Sequence, residues 1–222
     1  LKLFPQGSIG NPNSLTYVKP LRVQAFQERM IFSQSGDEIT LECRFPKKLF
    51  NKELSFKATI LIDPEMDRMV NVIPFTKPNQ FAYAVKMNCI ALKEDAVLET
   101  GDDKFVFFKD RSFAVLDWTR AVFPYTNRWK WCSASGRIDG EPFGFNLDYG
   151  FGTESSKNML FHGKTGHHLD EVYYQHDTND LEKNLAITSN DDRVNLTLRP
   201  TFVEKPEIDL GFLAMDLLLV EL

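Results

Sequence analysis

Between Leu116 and Gly136 the chain gathers residue types that could carry chemistry. Asp117 closes the apolar run Phe113-Ala114-Val115-Leu116, Arg120 follows shortly, and Tyr125 stands in the turn Pro124-Tyr125-Thr126-Asn127. A carboxyl group kept in apolar surroundings stays protonated near neutral pH and can deliver a proton, as hydration or isomerisation of an alkene requires. Arg120 would act the other way, holding Asp117 as a carboxylate in a structural ion pair. Tyr125 could serve as a second proton donor or as a corner residue with its hydroxyl tied to backbone. All three tryptophans, Trp118, Trp129 and Trp131, belong to the same stretch. Along Arg128–Gly136, alternation sets Trp129, Trp131, Ser133 and Ser135 on one face and Arg128, Lys130, Cys132 and Ala134 on the other. An indole and hydroxyl face suits a cavity wall, apolar at one end and hydrogen-bonding at the other. It also suits a tight sandwich core, and both readings stand.

The elements that must position these residues repeat with period two. Leu54, Phe56, Ala58, Ile60 and Ile62 alternate with Ser55, Lys57, Thr59 and Leu61, and Val194, Leu196 and Leu198 with Asn195, Thr197 and Arg199. Similar runs cover 38–45, 81–89, 104–108, 112–118, 128–138, 143–149, 158–161 and 171–175, each bounded by turn residues such as Ser35-Gly36-Asp37 or Asp63-Pro64. Many short strands and no long helical period predict an all-β, antiparallel barrel or sandwich. Asp139-Gly140 marks a hairpin between Ser133–Ile138 and Phe143–Leu147. The turn at Pro124 predicts that the following strand pairs beside Ser112–Trp118, bringing Asp117, Arg120, Trp129 and Trp131 together. The chain reads as one β-rich domain over 1–222, with a weak division near Gly101 into 1–100 and 101–222. Residues 211–222 fit either a strand or a helix.

Bulk properties narrow the function. At 222 residues, 43% hydrophobic and 26% charged, the composition is that of a globular protein, with Phe over-used at 19 positions. A net charge of −5 and no basic tract argue against nucleic acid and against a membrane surface. No apolar run is long enough for a transmembrane segment. Cys43 and Cys89 fall in alternating apolar runs and read as small buried hydrophobes, which fits a reducing, cytoplasmic setting. The four histidines, His162, His167, His168 and His176, lack zinc spacing; His167 and His168 as strand neighbours point to opposite faces. No metal or cofactor site is expected, since phosphate-cradling, nucleophile-elbow and C-x-x-C motifs are all missing. The chain opens on Leu1 and reads as a fragment or processed piece.

The run Asp117, Trp118, Arg120, Val122, Phe123, Pro124, Tyr125, Trp129, Trp131, Ser133, Ala134, Ser135, Gly136 resembles the central motif of a bacterial family of unknown function, DUF2804. The resemblance continues in Val72-Ile73-Pro74-Phe75, Lys86-Met87-Asn88-Cys89, Phe143-Gly144-Phe145-Asn146-Leu147, Glu154, Asn158 and Arg193–Pro200. It fades after Leu210, and the family's N-terminal aromatic strands have no counterpart here, which implies an incomplete piece of a two-lobed barrel. At longer range the family is similar to lipocalin-like barrels of the carotenoid hydratase type, implying a cavity for an apolar molecule. The expected ligand-contacting set is then Trp118, Trp129, Trp131, Ser133, Ser135, Asn146 and Glu154.

Three functions follow as expectations. The first is a binding module for a small apolar ligand, lipid or isoprenoid-like, against the tryptophans. A hydratase or isomerase with Asp117 as general acid, assisted by Arg120 or Tyr125, is the second. The third is an assembly subunit, a homo-oligomer joined through open strand edges.

Overall fold

The computed structural model describes residues 21–25, 28–46, 52–152, 158–203, 207–209 and 214–216. Among these residues there is no helix, and the strands pair antiparallel throughout. The first sheet holds β1 (Leu21–Ala25), β2 (Glu28–Ser35), β3 (Glu38–Phe45), β4 (Leu54–Leu61), β6 (Phe81–Leu92) and β5 (Met69–Pro74) in that order. A hairpin of β7 (Ala96–Thr100) and β8 (Asp103–Phe107) joins it on β4, and β9 (Phe113–Val122) joins it on β6. Residue 101 lies in the turn of that hairpin, so the first sheet runs past it to Val122.

The second sheet is β10 (Lys130–Ile138), β11 (Glu141–Tyr149), β12 (Asn158–His162) and β13 (Thr165–Leu169). A third holds β14 (Val172–Gln175), β15 (Leu185–Ser189) and β16 (Asn195–Leu198). The short strands β17 (Glu207–Asp209) and β18 (Ala214–Asp216) pair with each other, within the tail that fitted either period. Among the described residues no sheet closes on itself, so the architecture is an all-β sandwich or open barrel.

Period-two patterning decides which face each sheet buries. In β5, Met69, Asn71 and Ile73 are buried while Val70 and Val72 are exposed. In β11 the run Gly144–Asp148 is buried throughout, because the second sheet is covered on both faces. One face packs Phe145 and Leu147 against Val172, Ile187 and Leu198 of the third sheet. The other brings Met159 and Phe161 onto Met69 of the first sheet. Each of these aliphatic or aromatic side chains contributes roughly 1.5–3 kcal/mol on burial. A separate core of Ile39, Ile62, Met87 and Ile90 lies on the far face of the first sheet.

The Asp139-Gly140 hairpin forms as its composition predicts. Both residues have positive φ (53° and 86°), the requirement of a type I′ turn, and Ile138 pairs with Glu141 across it. This tight turn gives β10 its partner in β11. The pairing of β10 beside β9 is therefore corrected: β9 pairs with β6, and the 123–129 connection carries the chain across to the second sheet.

Candidate functional site

The seam between the first two sheets is built on an irregularity in β6. Its pairing with β9 runs Met87↔Leu116 and then Ile90↔Ala114, one extra residue on β6, and Cys89 sits at φ 58°. Such a bulge re-aims side chains and is found where a strand must serve a second purpose. Here it aims Asn88 at the second sheet. Asn88 Nδ2 donates to the Ala134 carbonyl (2.9 Å), the Phe145 carbonyl (3.0 Å) and Ser133 Oγ (2.9 Å), while the Cys89 amide donates to Ser135 Oγ (2.9 Å). The first sheet's side chains press so close that a Cβ on Gly144 would lie 2.8 Å from Cys89 Sγ and 3.1 Å from Asn88 Cβ, and 2.7 Å from the Ala134 carbonyl oxygen of its own sheet. Ser133 and Ser135 thus find their partners within the protein, the core alternative of the two readings.

Beside this buried seam lies a half-open one. Trp131 pairs with Asp148 and Ser133 with Asn146, so the paired positions share one face of the second sheet. The Trp131 indole donates to Asn146 Oδ1 (3.0 Å), and Asn146 is fully buried. Lys86 Nζ stands 4.9 Å from the Trp131 ring centroid and 3.0 Å from Asp117 Oδ2. The Thr119 hydroxyl donates to the other Asp117 oxygen (3.2 Å). The Lys86 and Asp117 side chains keep 13% and 31% of their exposure, which places the ion pair at a boundary with water. Three buried side-chain polar atoms among the described residues have no hydrogen-bond partner, and two of them, Asn88 Oδ1 and Asn146 Nδ2, are at the seam.

An aromatic strip is built around Trp129, the residue just before β10. The Trp129 and Phe151 rings lie 5.2 Å apart, Phe151 meets Phe75 at 5.4 Å and Phe123 at 6.0 Å, and Phe75 meets Phe123 at 6.1 Å. Phe75 is buried over Ile73 and Ala82, but Trp129 and Trp131 remain 45% and 46% exposed and Phe123 53%. The strip is therefore a surface feature with a buried root.

The expected residues divide between two faces. Asp117, Trp131, Ser133, Ser135 and Asn146 come together at the seam through Lys86, Asn88 and the Cys89 amide, whereas Trp129 packs on Phe151. Arg120 does not join Asp117: opposite Tyr83 rather than Lys86, at an odd spacing along β9, it lies on the other face of the first sheet, and Lys86 is the ion-pair partner. Trp118 is on that other face too, edge-to-face with Tyr83 (5.8 Å). Tyr125 is 90% exposed in the connecting turn. Glu154 lies outside the described residues.

Lys86, Asn88 and Phe151 were not among the expected site residues. Lys86 and Asn88 fall in the family-like Lys86–Cys89 segment, and a polar Asn within an apolar strand was the available signal. Phe151 carried none.

Between the second and third sheets burial raises two acidic groups. The Cys132 thiol is pushed up to about 11 by desolvation. The Tyr174 phenol, donating to the Leu147 carbonyl (2.9 Å), is raised far above its ordinary value by burial and then by the nearby Cys132 and Asp148. Among the described residues no three His, Cys, Asp or Glu side chains converge as a metal centre would need. His167 and His168 face opposite sides of β13, paired with Leu160 and Met159.

The family described as "Domain of unknown function (DUF2804)" matches residues 1–218. The chain belongs to that family. No curated protein and no solved structure matches it. Four DUF2804-like segments converge at the seam: Val72–Phe75 roots the aromatic strip, Lys86–Cys89 forms the bulge, Asp117–Gly136 supplies the ion pair and indoles, and Phe143–Leu147 receives Asn88. No helix among the described residues is long and apolar enough to cross a membrane.

Proposed function

We propose that this protein is a non-catalytic binding module for a small molecule with an apolar body, of the lipid or isoprenoid type. The body lies along Phe123, Trp129 and Phe151, and the polar end reaches Trp131, Lys86 and Asp117. One observation carries the reading: Trp129 and Phe123, both in ring contact with Phe151, stay about half exposed in a single strip, and Trp131, two residues on from Trp129, is exposed to the same extent. Contiguous exposed aromatic surface rimmed by polar groups is the usual mark of a recognition site. The Lys86–Asp117 pair under Trp131 gives the strip a polar end.

Acid catalysis by Asp117 forms no part of this proposal. It needs an apolar enclosure around the carboxyl group, whereas an ammonium stands 3.0 Å from it.

Titration of tryptophan fluorescence with fatty acids and with isoprenoid alcohols tests the proposal. Saturable quenching or enhancement is expected. Covering one ring contributes roughly 1.5–3 kcal/mol, so Trp129→Ala should weaken binding by about tenfold to a hundredfold. Trp118→Phe should leave affinity unchanged, because Trp118 is on the other face. Failure of every class to bind, or equal affinity in the folded Trp129→Ala protein, rejects the reading.

A further inference from the structure

The strand β8 carries an association surface independent of the ligand reading. Its residues Phe105, Val106 and Phe107, with Phe108 beyond its end, are between 39% and 52% exposed, although Phe107 meets the Phe56 ring edge-on (6.1 Å) and Arg111 lies over Phe108 (4.7 Å). Among the described residues β8 pairs with β7 alone.

Hydrogen-bond parity identifies its free groups. Thr100 pairs with Asp103 across the two-residue turn, and Gly101 donates to the Glu53 carbonyl on the β4 side. Odd-numbered β7 residues therefore bond toward β4 and even-numbered ones toward β8. Their partners Asp103, Phe105 and Phe107 face inward, leaving the backbone groups of Lys104 and Val106 directed at the open edge. An unpaired edge that is also hydrophobic is a template for another strand.

We infer that β8 pairs antiparallel with β8 of a second copy about a two-fold axis at Val106. Three features are self-complementary about that residue, as an isologous contact requires. Val106 exchanges amide and carbonyl bonds with its own counterpart. Phe105 falls opposite Phe107 of the second copy at a non-hydrogen-bonded position, where side chains approach most closely. The Asp103 end of one strand meets the Lys109 end of the other, placing opposite charges together. The first sheets of the two copies then form one continuous sheet. A bilayer is a poor alternative occupant, because it leaves the edge amides and carbonyls without partners.

Light scattering and sedimentation over a concentration series, with hydrogen exchange, test the inference. The wild type should show twice the mass of the chain, with the Val106 amide protected only in the dimer. Val106→Pro removes an amide hydrogen the hairpin does not use, and proline is tolerated at such edge positions. It should raise the dimer dissociation constant about tenfold or more while leaving the circular dichroism unchanged. Phe105→Lys provides a second variant should the proline disturb folding. A monomeric wild type at all concentrations overturns the inference, as does a dimer that persists in both folded variants.

Discussion

The Asn88 contact permits a test in which shape is held constant and only hydrogen-bond polarity changes. Asn88 Nδ2 faces two backbone carbonyls at 2.9 and 3.0 Å, groups that can only accept, so this end of the side chain must donate. Asn88→Asp replaces the donor by an oxygen of nearly the same size. At neutral pH it places a carboxylate, in a position with no exposure, against carbonyl oxygens. An uncompensated buried charge costs about 3–5 kcal/mol. The protonated acid recovers one donor, and its deficit should fall to about 1–2 kcal/mol. The sign follows from linkage: the carboxyl group introduced at this position has a folded-state pKa above the unfolded value of about 3.9. Its stability contribution is thus complete below the unfolded value and lost as pH rises through the folded one. Urea unfolding of variant and wild type at about pH 7 and about pH 4, with spectroscopic confirmation of the native fold, measures both numbers. A deficit below about 1 kcal/mol at neutral pH, or one that does not shrink on acidification, would refute the placement of Asn88 at the seam.

Asp117→Asn should lower stability by about 1–2 kcal/mol, less than a fully buried pair because the carboxylate is a third exposed. Thermal unfolding at low and high salt checks it, and the difference should narrow as salt screens the pair. Asp191 is held down at about 2 by the Ser189 hydroxyl and by Arg193. A carboxyl lowered on folding stabilises above its unfolded pKa, and that help is lost as pH falls toward 2. Carbon-detected NMR should show Asp191 titrating near that value, and Ser189→Ala should move it upward. Burial of the Cys132 thiol predicts alkylation far slower in the native than in the unfolded protein up to about pH 9. Rapid native labelling of Cys132, read by mass spectrometry, would contradict that.

Patterning was enough to read strands where one face meets water, as in β16, and where turn chemistry is local, as at Asp139-Gly140. It served less well where both faces are covered. The central run of β11 is buried on either side, so its alternation marks two cores rather than inside and outside. The approach of Asp117 to Trp131 was foreseen, but through the wrong pairing, and it runs through Lys86. A bulge invisible to period-two counting turns Asn88 and shifts the register of β6 by one. Arg120 shows the complementary error: closeness along the chain suggested an ion pair, while an odd spacing on a strand sends the side chain to the opposite face. Lys86, distant in sequence and adjacent by register, takes that place.

The bulge also orders events in time. The β10–β11 hairpin closes over a two-residue turn and needs only microseconds. Asn88 must find Phe145 across a separation of 57 residues, and its approach requires Ala134 and Gly144 to be already side by side. Hairpin closure is expected to precede docking, with the seam assembled late. Substitutions at Asn88 or Gly144 should accordingly speed unfolding far more than they slow refolding, whereas disruption of the Asp139-Gly140 turn should do the reverse.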